Sequence, residues 1–311
     1  VIGIGGAGCK VAVESSNSIG CKCVLISNDK KDFNEHNCSI FINSKPWINP
    51  SNSKLRSFAQ YSSEEIKSAI RGFQTAILIA NLGGKAGSAM APVISAIARE
   101  CSVTSIISFV IMPFRYEKDR IFHAGVSLRR IRDSSDATII VDNDALLHNN
   151  PELSPSDCYI ITNNAVLDVI NSLSQDYISP DFNLLCASKQ GQSTVESSLK
   201  DSIGILFEDA KPDSVRKSVL YIAGSQNVPI GTLHSVVNTL GALFGAERSA
   251  EIAVSLSDSD KLRVNLMAAI QEDTRFDRYD PLGEIIPKDN VLDWDELESS
   301  PDIELMISNL E

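Results

Sequence analysis

Short apolar runs recur through the first half of the chain, and the stretches between them carry apolar residues at helical spacing. Cys23–Ile26, Ile40–Ile42, Thr75–Ala80, Val103–Met112 and Thr138–Val141 read as buried strands. Val11–Ser18, Ala91–Glu100 and Lys118–Asp133 read as helices. Ser62-Ser-Glu-Glu65 ahead of Ile66, Ala69, Ile70 and Phe73 predicts a capping box that opens a further helix. Pro46–Leu55, rich in Pro, Asn and Ser, predicts a loop. Such alternation implies an α/β fold with a mostly parallel sheet and helices on both faces. Residues 156–177 predict a long helix leading to a smaller α/β unit. In that unit Lys217–Ala223, Glu251–Leu256 and Lys261–Ala269 read as strands and Ile230–Phe244 as a helix. The expected organisation is a first domain over 1–155, a central helix and following loop over 156–184, a second domain over 185–270 and a tail over 271–311.

Two strands run into glycine-rich turns. One is Val1-Ile-Gly-Ile-Gly-Gly-Ala-Gly-Cys-Lys10; the other is Asn81-Leu-Gly-Gly-Lys-Ala-Gly-Ser-Ala-Met-Ala-Pro92. Strand, glycine turn and helix together aim backbone N–H groups and a positive helix end at an anion. Gly6 and Gly8, with Gly83, Gly84 and Gly87, would let the backbone approach a phosphate that a Cβ would block. Ser88 would add a hydroxyl, and Lys10 and Lys85 positive charge. For Lys85 two readings stand: it offsets phosphate charge, or it is a solvent-facing lysine in a loop. The first turn alone also fits a dinucleotide fingerprint, with Asp29 as the ribose-holding acid, so an NAD- or FAD-binding oxidoreductase is a second function class. Two separate phosphate turns in one sheet fit that class poorly.

Taken in order, the residues resemble the tubulin and bacterial cell-division FtsZ family over most of 1–270, with FtsZ ahead of tubulin. Ser27-Asn28-Asp29 stands where that family has Asn-Thr-Asp, and Asn81–Pro92 is similar to its glycine-rich signature followed by Ala-Ala-Pro. Met112-Pro-Phe-Arg-Tyr-Glu117 with Arg120 resembles its Pro-Phe-x-Phe-Glu loop and following arginine. Val141-Asp-Asn-Asp-Ala-Leu-Leu147 resembles its Pro-Asn-Asp-x-Leu-Leu segment, and Asp157–Asn163 the start of its central helix. The resemblance implies a Rossmann-like GTP-binding domain whose ligand is GTP or GDP, with Mg2+ a candidate companion. It implies contacts from Gly5, Gly6, Ala7, Gly8, Cys9 and Lys10, from Asn28, and from Gly83, Gly84, Lys85, Ala86, Gly87, Ser88 and Ala89. Glu117 and Arg120 would meet the sugar and the phosphate end, Tyr159 would stack on the base, and Asn163 with Asn164 would read its edge. A core aromatic is the other reading of Tyr159. The implied partner is a second copy, or a related FtsZ-like protein, bound head to tail, in a cytoskeletal role in cell division.

The departures matter as much. Lys85, Ala86 and Ala89 replace a glycine, a threonine and a glycine of the family signature. The Asn-x-Asp-x-x-Asp loop that reaches a neighbour's nucleotide reads Ser179-Pro-Asp-Phe-Asn-Leu184 and is shorter upstream. Asp181 keeps one catalytic carboxylate, and Leu184 stands for the other. Leucine neither accepts a proton nor orders water. Weakened or lost GTP hydrolysis is therefore expected, and a non-polymerising scaffold or accessory subunit is the alternative.

Charge sharpens this picture. Residues 271–311 carry 13 acidic and 3 basic side chains, so −10 of the total −12 belongs to the tail. The near-neutral remainder has no basic stripe for nucleic acid. In the tail, punctuated by Pro281, Pro287 and Pro301, Val291–Trp294 and Ile303–Ile307 are apolar anchors. They are expected either to capture a protein partner or to pack back on the body. No apolar run approaches the roughly 20 residues of a membrane helix. Seven dispersed cysteines suggest a reducing cytoplasm rather than a disulfide framework. Cys21, Cys23, His36 and Cys38 lack a usual zinc spacing, so no metal site is expected.

Overall fold

The computed structural model describes residues 1–33, 38–45, 47–172, 180–189, 194–223, 228–244, 249–255 and 262–280, and between 249 and 255 the backbone alone. The first half runs β1 (Ile2–Ile4), α1 (Gly5–Ile19), β2 (Val24–Ser27), β3 (Cys38–Phe41), α2 (Asn52–Tyr61), α3 (Ser63–Ile70), β4 (Thr75–Asn81) and α4 (Lys85–Glu100). It continues through β5 (Ser105–Met112), α5 (Lys118–Ser134), β6 (Ala137–Asp142), α6 (Asn143–Asn149) and α7 (Pro155–Ser172). The second half has β7 (Leu184–Ala187), α8 (Val195–Asp209), β8 (Val215–Ala223), α9 (Ile230–Phe244), β9 (Ser249–Ser255) and β10 (Arg263–Ile270). All ten strands form one sheet in the order β3-β2-β1-β4-β5-β6-β7-β10-β8-β9. It is parallel except for β10, which runs antiparallel to β7 and β8.

From β1 the chain crosses to β2 on one side, and from β4 to β5 on the other. Right-handed crossovers therefore put α1 and α4 on opposite faces. There α7 packs along α1, while α2, α3 and α5 pack on α4. Two glycines set how closely these helices dock. A Cβ on Gly8 would lie 2.2 Å from the Ile79 carbonyl oxygen, and one on Gly87 would lie 2.1 Å from that of Asn81. Both helices rest directly on the backbone of β4.

The second half is fixed to the first by buried polar contacts. Arg263 on β10 makes a two-pronged contact with Asp168 on α7, at 2.8 and 2.7 Å, and Asn265 donates to the same carboxylate at 3.0 Å. Asn183, just ahead of β7, exchanges two hydrogen bonds with the backbone of Ile270.

Two expectations need correction, and a third gains detail. The capping box at Ser62 does not form: its N–H is held by Phe58 and Ala59 of the preceding helix, and its side chain makes no cap bond. α2 and α3 run almost end to end, so Ser62 keeps a near-helical backbone and cannot turn its hydroxyl toward Glu65. The expected loop Pro46–Leu55 is cut short at Asn52, where Ser51 caps α2 by accepting from the Lys54 N–H. Of the expected tail, the first ten residues are described and take the packed-back alternative. Residues 271–280 fold back as a strap, with Phe276 buried and the Tyr279 backbone crossing Gly125 of α5. Residues 173–177 of the expected central helix, the strand ends at Leu256 and Lys261, and both apolar tail anchors lie outside the described residues.

Ion pairs hold the strap. Arg275 reaches Asp142 and Asp144 from the first half and Asp209, fully buried, at the end of α8. The 2.7 Å approach of its Nε to Asp209 is off the N–H direction, which makes it a charge contact rather than a hydrogen bond. Asp277 pairs with Arg132 and accepts from the Thr274 N–H and hydroxyl at 2.7 and 2.8 Å. Burial alone would raise its pKa, but Arg132 and Thr274 outweigh burial and hold the carboxyl below its ordinary range.

A group with a lowered folded pKa stabilises the fold above its unfolded value, and that stability is lost as pH falls through the folded value. Asp277→Asn should therefore cost about 1 kcal/mol near neutral pH in urea unfolding, with the gap closing below pH of about 4. Gly87→Ala should cost roughly 1–3 kcal/mol in the same assay, because a strand backbone cannot yield. At Gly6 an added Cβ meets only the movable Asp32 carboxylate, so Gly6→Ala should cost less.

Candidate functional site

The glycine turns follow β1 and β4, adjacent parallel strands, and so lie at one end of the sheet. There they touch. Gly5 has φ +68°, and a Cβ on it would lie 3.0 Å from the Ala86 Cβ and 3.3 Å from the Gly87 nitrogen. The helices begin inside these turns, α1 at Gly5 and α4 at Lys85, so Gly6–Lys10 and Ala86–Ala89 are first helical turns. Neither first turn contains an acidic residue. Two positive helix ends with unpaired N–H groups thus converge on one spot.

Individual residues divide into those that face this spot and those that do not. Gly6 and Lys10 are exposed, and Ala7 is half-buried. Gly8 and Gly87, expected to admit phosphate, instead have their open sides against β4, so close packing requires them. Cys9 and Ala89 are buried and can offer backbone only. The Cys9 thiol donates to the Gly3 carbonyl at 3.4 Å, and burial first, then Asp32, pushes its pKa up to about 12. In the second turn, Asn81 takes the Gly83 N–H on its side chain (2.8 Å) and the Gly84 N–H on its carbonyl (3.1 Å). Ser88 also departs from expectation. Its hydroxyl is buried, donates back to the Gly84 carbonyl at 3.0 Å and accepts from Asn52 at 3.2 Å, so it does not face outward.

Lys85 is exposed and donates to the Asn49 side-chain oxygen at 2.8 Å; among the described residues no carboxylate pairs with it. Asn28 follows β2 and is half-buried. Asp29 accepts from the Lys31 N–H at 3.0 Å, closing its own turn. Sequence reasoning passed over Asp32, which accepts from the Ser27 hydroxyl at 2.5 Å and lies over Gly6. Nothing in its spacing marks it; the three-residue turn Lys30–Asp32 brings it there.

Beside the turns lies an aromatic and amide group. Buried Phe114 stacks on Tyr116 at 5.2 Å and meets the edge of Tyr159 at 5.5 Å. Tyr159, near the start of α7, is half-buried; burial first raises its pKa, and a hydrogen bond to Asn81 opposes the rise. It is thus both partly in the core and partly open. One turn along, the Asn163 side-chain oxygen is buried with no hydrogen-bond partner among the described residues. Asn164 is half-buried. Glu117 accepts from the Phe114 N–H at 3.2 Å and pairs with Arg120 at 2.5 Å. Asn81, which sequence reasoning did not single out, links the second glycine turn to Tyr159.

Asp181 is elsewhere. β7 runs parallel to β6, so the residues ahead of it lie where β1, β4, β5 and β6 begin, opposite the glycine turns. Its carboxylate pairs with Lys217 at 2.8 Å, and Leu184 is fully buried as the first residue of β7. Among the described residues no three His, Cys, Asp or Glu side chains are grouped to hold a metal, and no helix is long and apolar enough to cross a membrane. A cavity of about 720 Å3 between the end of α8 and the strap, bordered by Asp209, Lys211, Arg275 and Arg278, touches none of these groups.

Comparison with known proteins places this geometry. Residues 1–151 match the family described as Tubulin/FtsZ family, GTPase domain. The chain is 25% identical over 237 residues to the cell division protein FtsZ of Mycoplasmopsis pulmonis, a match spanning 68% of this chain and 59% of that protein. It is 23% identical over 278 residues to FtsZ 1 of Pyrococcus horikoshii, spanning 81% and 70%. Among solved structures, an empty FtsZ dimer from M. jannaschii superposes with a TM-score of 0.69 at 21% identity, covering 86% of each chain. A GTPγS-bound protofilament of CetZ2 from Haloferax volcanii gives 0.65 at 17%, covering 91% and 96%. Residues 1–151 thus carry the match to the Tubulin/FtsZ GTPase domain, and the described fold is that of the solved FtsZ and CetZ structures.

Proposed function

We propose that this chain binds a guanine nucleotide, assembles head to tail with copies of itself or a related FtsZ-like protein, and hydrolyses GTP slowly or not at all. The observation that carries this reading is the meeting of Gly5 with Ala86 and Gly87. Two helix starts with no acidic residue in their first turns favour a polyanion, and Lys85 beside them has no acidic partner among the described residues. The unsatisfied Asn163 oxygen suits a guanine N–H donor, with Tyr159 available to stack. Asp32, over Gly6, is the acid best placed to meet a phosphate-bound Mg2+. All seven cysteines are free thiols, which suits a cytoplasmic cell-division role.

The assembly half of the reading rests on distance. At about 3.3 Å per residue, β5 alone, with its eight residues, separates the sheet's two ends by roughly 25 Å. Asp181 cannot reach its own chain's nucleotide, and a head-to-tail neighbour would bring the two together. Buried Leu184 and the Asp181–Lys217 pair favour slow turnover.

Purified protein is expected to carry GDP or GTP and to prefer GTP to ATP, with Asn163→Ala weakening GTP binding about tenfold. Preference for ATP would reject the base assignment. Light scattering should rise on adding GTP while phosphate release stays low. Scattering that stays flat despite tight binding would favour the non-polymerising scaffold, and release climbing steeply with protein concentration would reject slow turnover.

A further inference from the structure

Lys85 sits against the electrostatics of its own helix. It is the first residue of α4, where the helix dipole disfavours a cation, and its hydrogen bond goes to the neutral Asn49 amide oxygen at 2.8 Å. An anion would relieve this mismatch better than an amide can. Position says which part of the ligand arrives there. The base-end residues lie on α7, which packs on α1 at one face of the sheet, while Lys85 and Asn49 lie on the α4 and α2 side, at the other. A nucleotide laid from α7 across the contact of Gly5 with Ala86 presents its outermost phosphate to Lys85.

Asn49 belongs to a short exposed segment ahead of α2. Ile48 is fully exposed, Trp47 is about half exposed (51%), and the Lys54 ammonium lies 5.3 Å from the centre of the Trp47 ring. Two hydrogen bonds join this segment and the first residue of α2 to α4. Asn52 donates to the buried Ser88 hydroxyl at 3.2 Å, an inner fastening that a ligand does not reach. The outer fastening is the exposed contact of Lys85 with Asn49, which a stronger acceptor can displace.

We propose that Lys85 is the residue by which this chain distinguishes a nucleoside triphosphate from a diphosphate, exchanging the Asn49 oxygen for a terminal phosphate oxygen and so releasing Trp47–Asn49 from α4. The proposal rests on the guanine-nucleotide reading above. It makes the trade of a neutral acceptor for a charged one the source of discrimination, and it makes the exposed Trp47–Ile48 pair the part of the surface that changes.

Trp47 and Trp294 are the two tryptophans of the chain, so a Trp294→Phe background leaves Trp47 as the sole indole reporter. GTP, GDP and buffer would be compared at protein concentrations too low for assembly, for this background and for Lys85→Ala, Lys85→Arg and Asn49→Ala added to it. Equal thermal midpoints would establish that each variant is folded. The background protein should favour GTP over GDP and change Trp47 emission with GTP only. Lys85→Ala should lower the GTP:GDP affinity ratio about tenfold, and Lys85→Arg should restore most of it. Asn49→Ala should raise the ratio modestly, because GTP no longer has to displace an acceptor, and should show the GTP-type emission already without nucleotide. A wild-type ratio in folded Lys85→Ala overturns the discrimination, and a GTP-dependent emission change surviving in Asn49→Ala overturns the exchange. In either case nucleotide binding itself stands. If the background protein binds neither nucleotide, the guanine-nucleotide reading fails and this proposal with it.

Discussion

Everything at the candidate site depends on two helix starts being held together although their charges repel. α1 and α4 approach from opposite faces of the sheet, and their positive ends meet where Gly5 touches Ala86 and Gly87. Dipole repulsion would separate them. Packing prevents this, because Gly8 rests on Ile79 and Gly87 on Asn81 with no side chain between helix and strand. The strands beneath are deeply buried and run parallel in fixed register, so the helix ends cannot drift apart. What remains is an unfilled demand for negative charge. Asp32, over Gly6, meets part of it from outside the helices.

The second half of the chain matters to that site through α7. Its start carries Tyr159 and Asn163, and further along it Asp168 is locked to Arg263 and Asn265 of β10. A buried carboxylate with three charge-assisted or amide hydrogen bonds is satisfied only in one arrangement of helix and strand. The strap adds a second tie, since Arg275 joins acids of β6, α6 and α8. Tyr159 and Asn163 are therefore positioned by contacts that span both halves of one continuous sheet.

Much of the fold was legible because parallel-sheet strands are buried on both faces and read as apolar runs: β4, β5, β6 and β8 fall close to their expected bounds. β7 was missed because Leu184–Ala187 is four residues long and follows a segment read as a loop. Ser62 misled because a capping box also needs a non-helical backbone, which the preceding helix denied it. At the site, the convergence of the two turns was legible in residue type and order. The roles of single residues were not, because Gly8, Gly87 and Ser88 look identical in sequence whether they face a ligand or a strand. Asn81, Asn49 and Asp32 carry no pattern of their own; only the fold gives them partners.

The sheet's opposite end follows the same logic of backbone before chemistry. Leu184 pairs in register with Ile140 of β6 and Ala268 of β10, both buried. A carboxylate there would be an unpaired charge inside the sheet, costing several kcal/mol. The resemblance to FtsZ puts an acid at this position on a longer loop; here the segment is shorter, and the strand begins at that residue. Asp181, the acid that stays outside the strand, has found a cation, Lys217, at the start of the neighbouring β8. A surface pair of this kind adds little stability. It does neutralise the carboxylate that the head-to-tail assembly proposed above would set against the next subunit's phosphates, an arrangement that would suit contact more than activation of water.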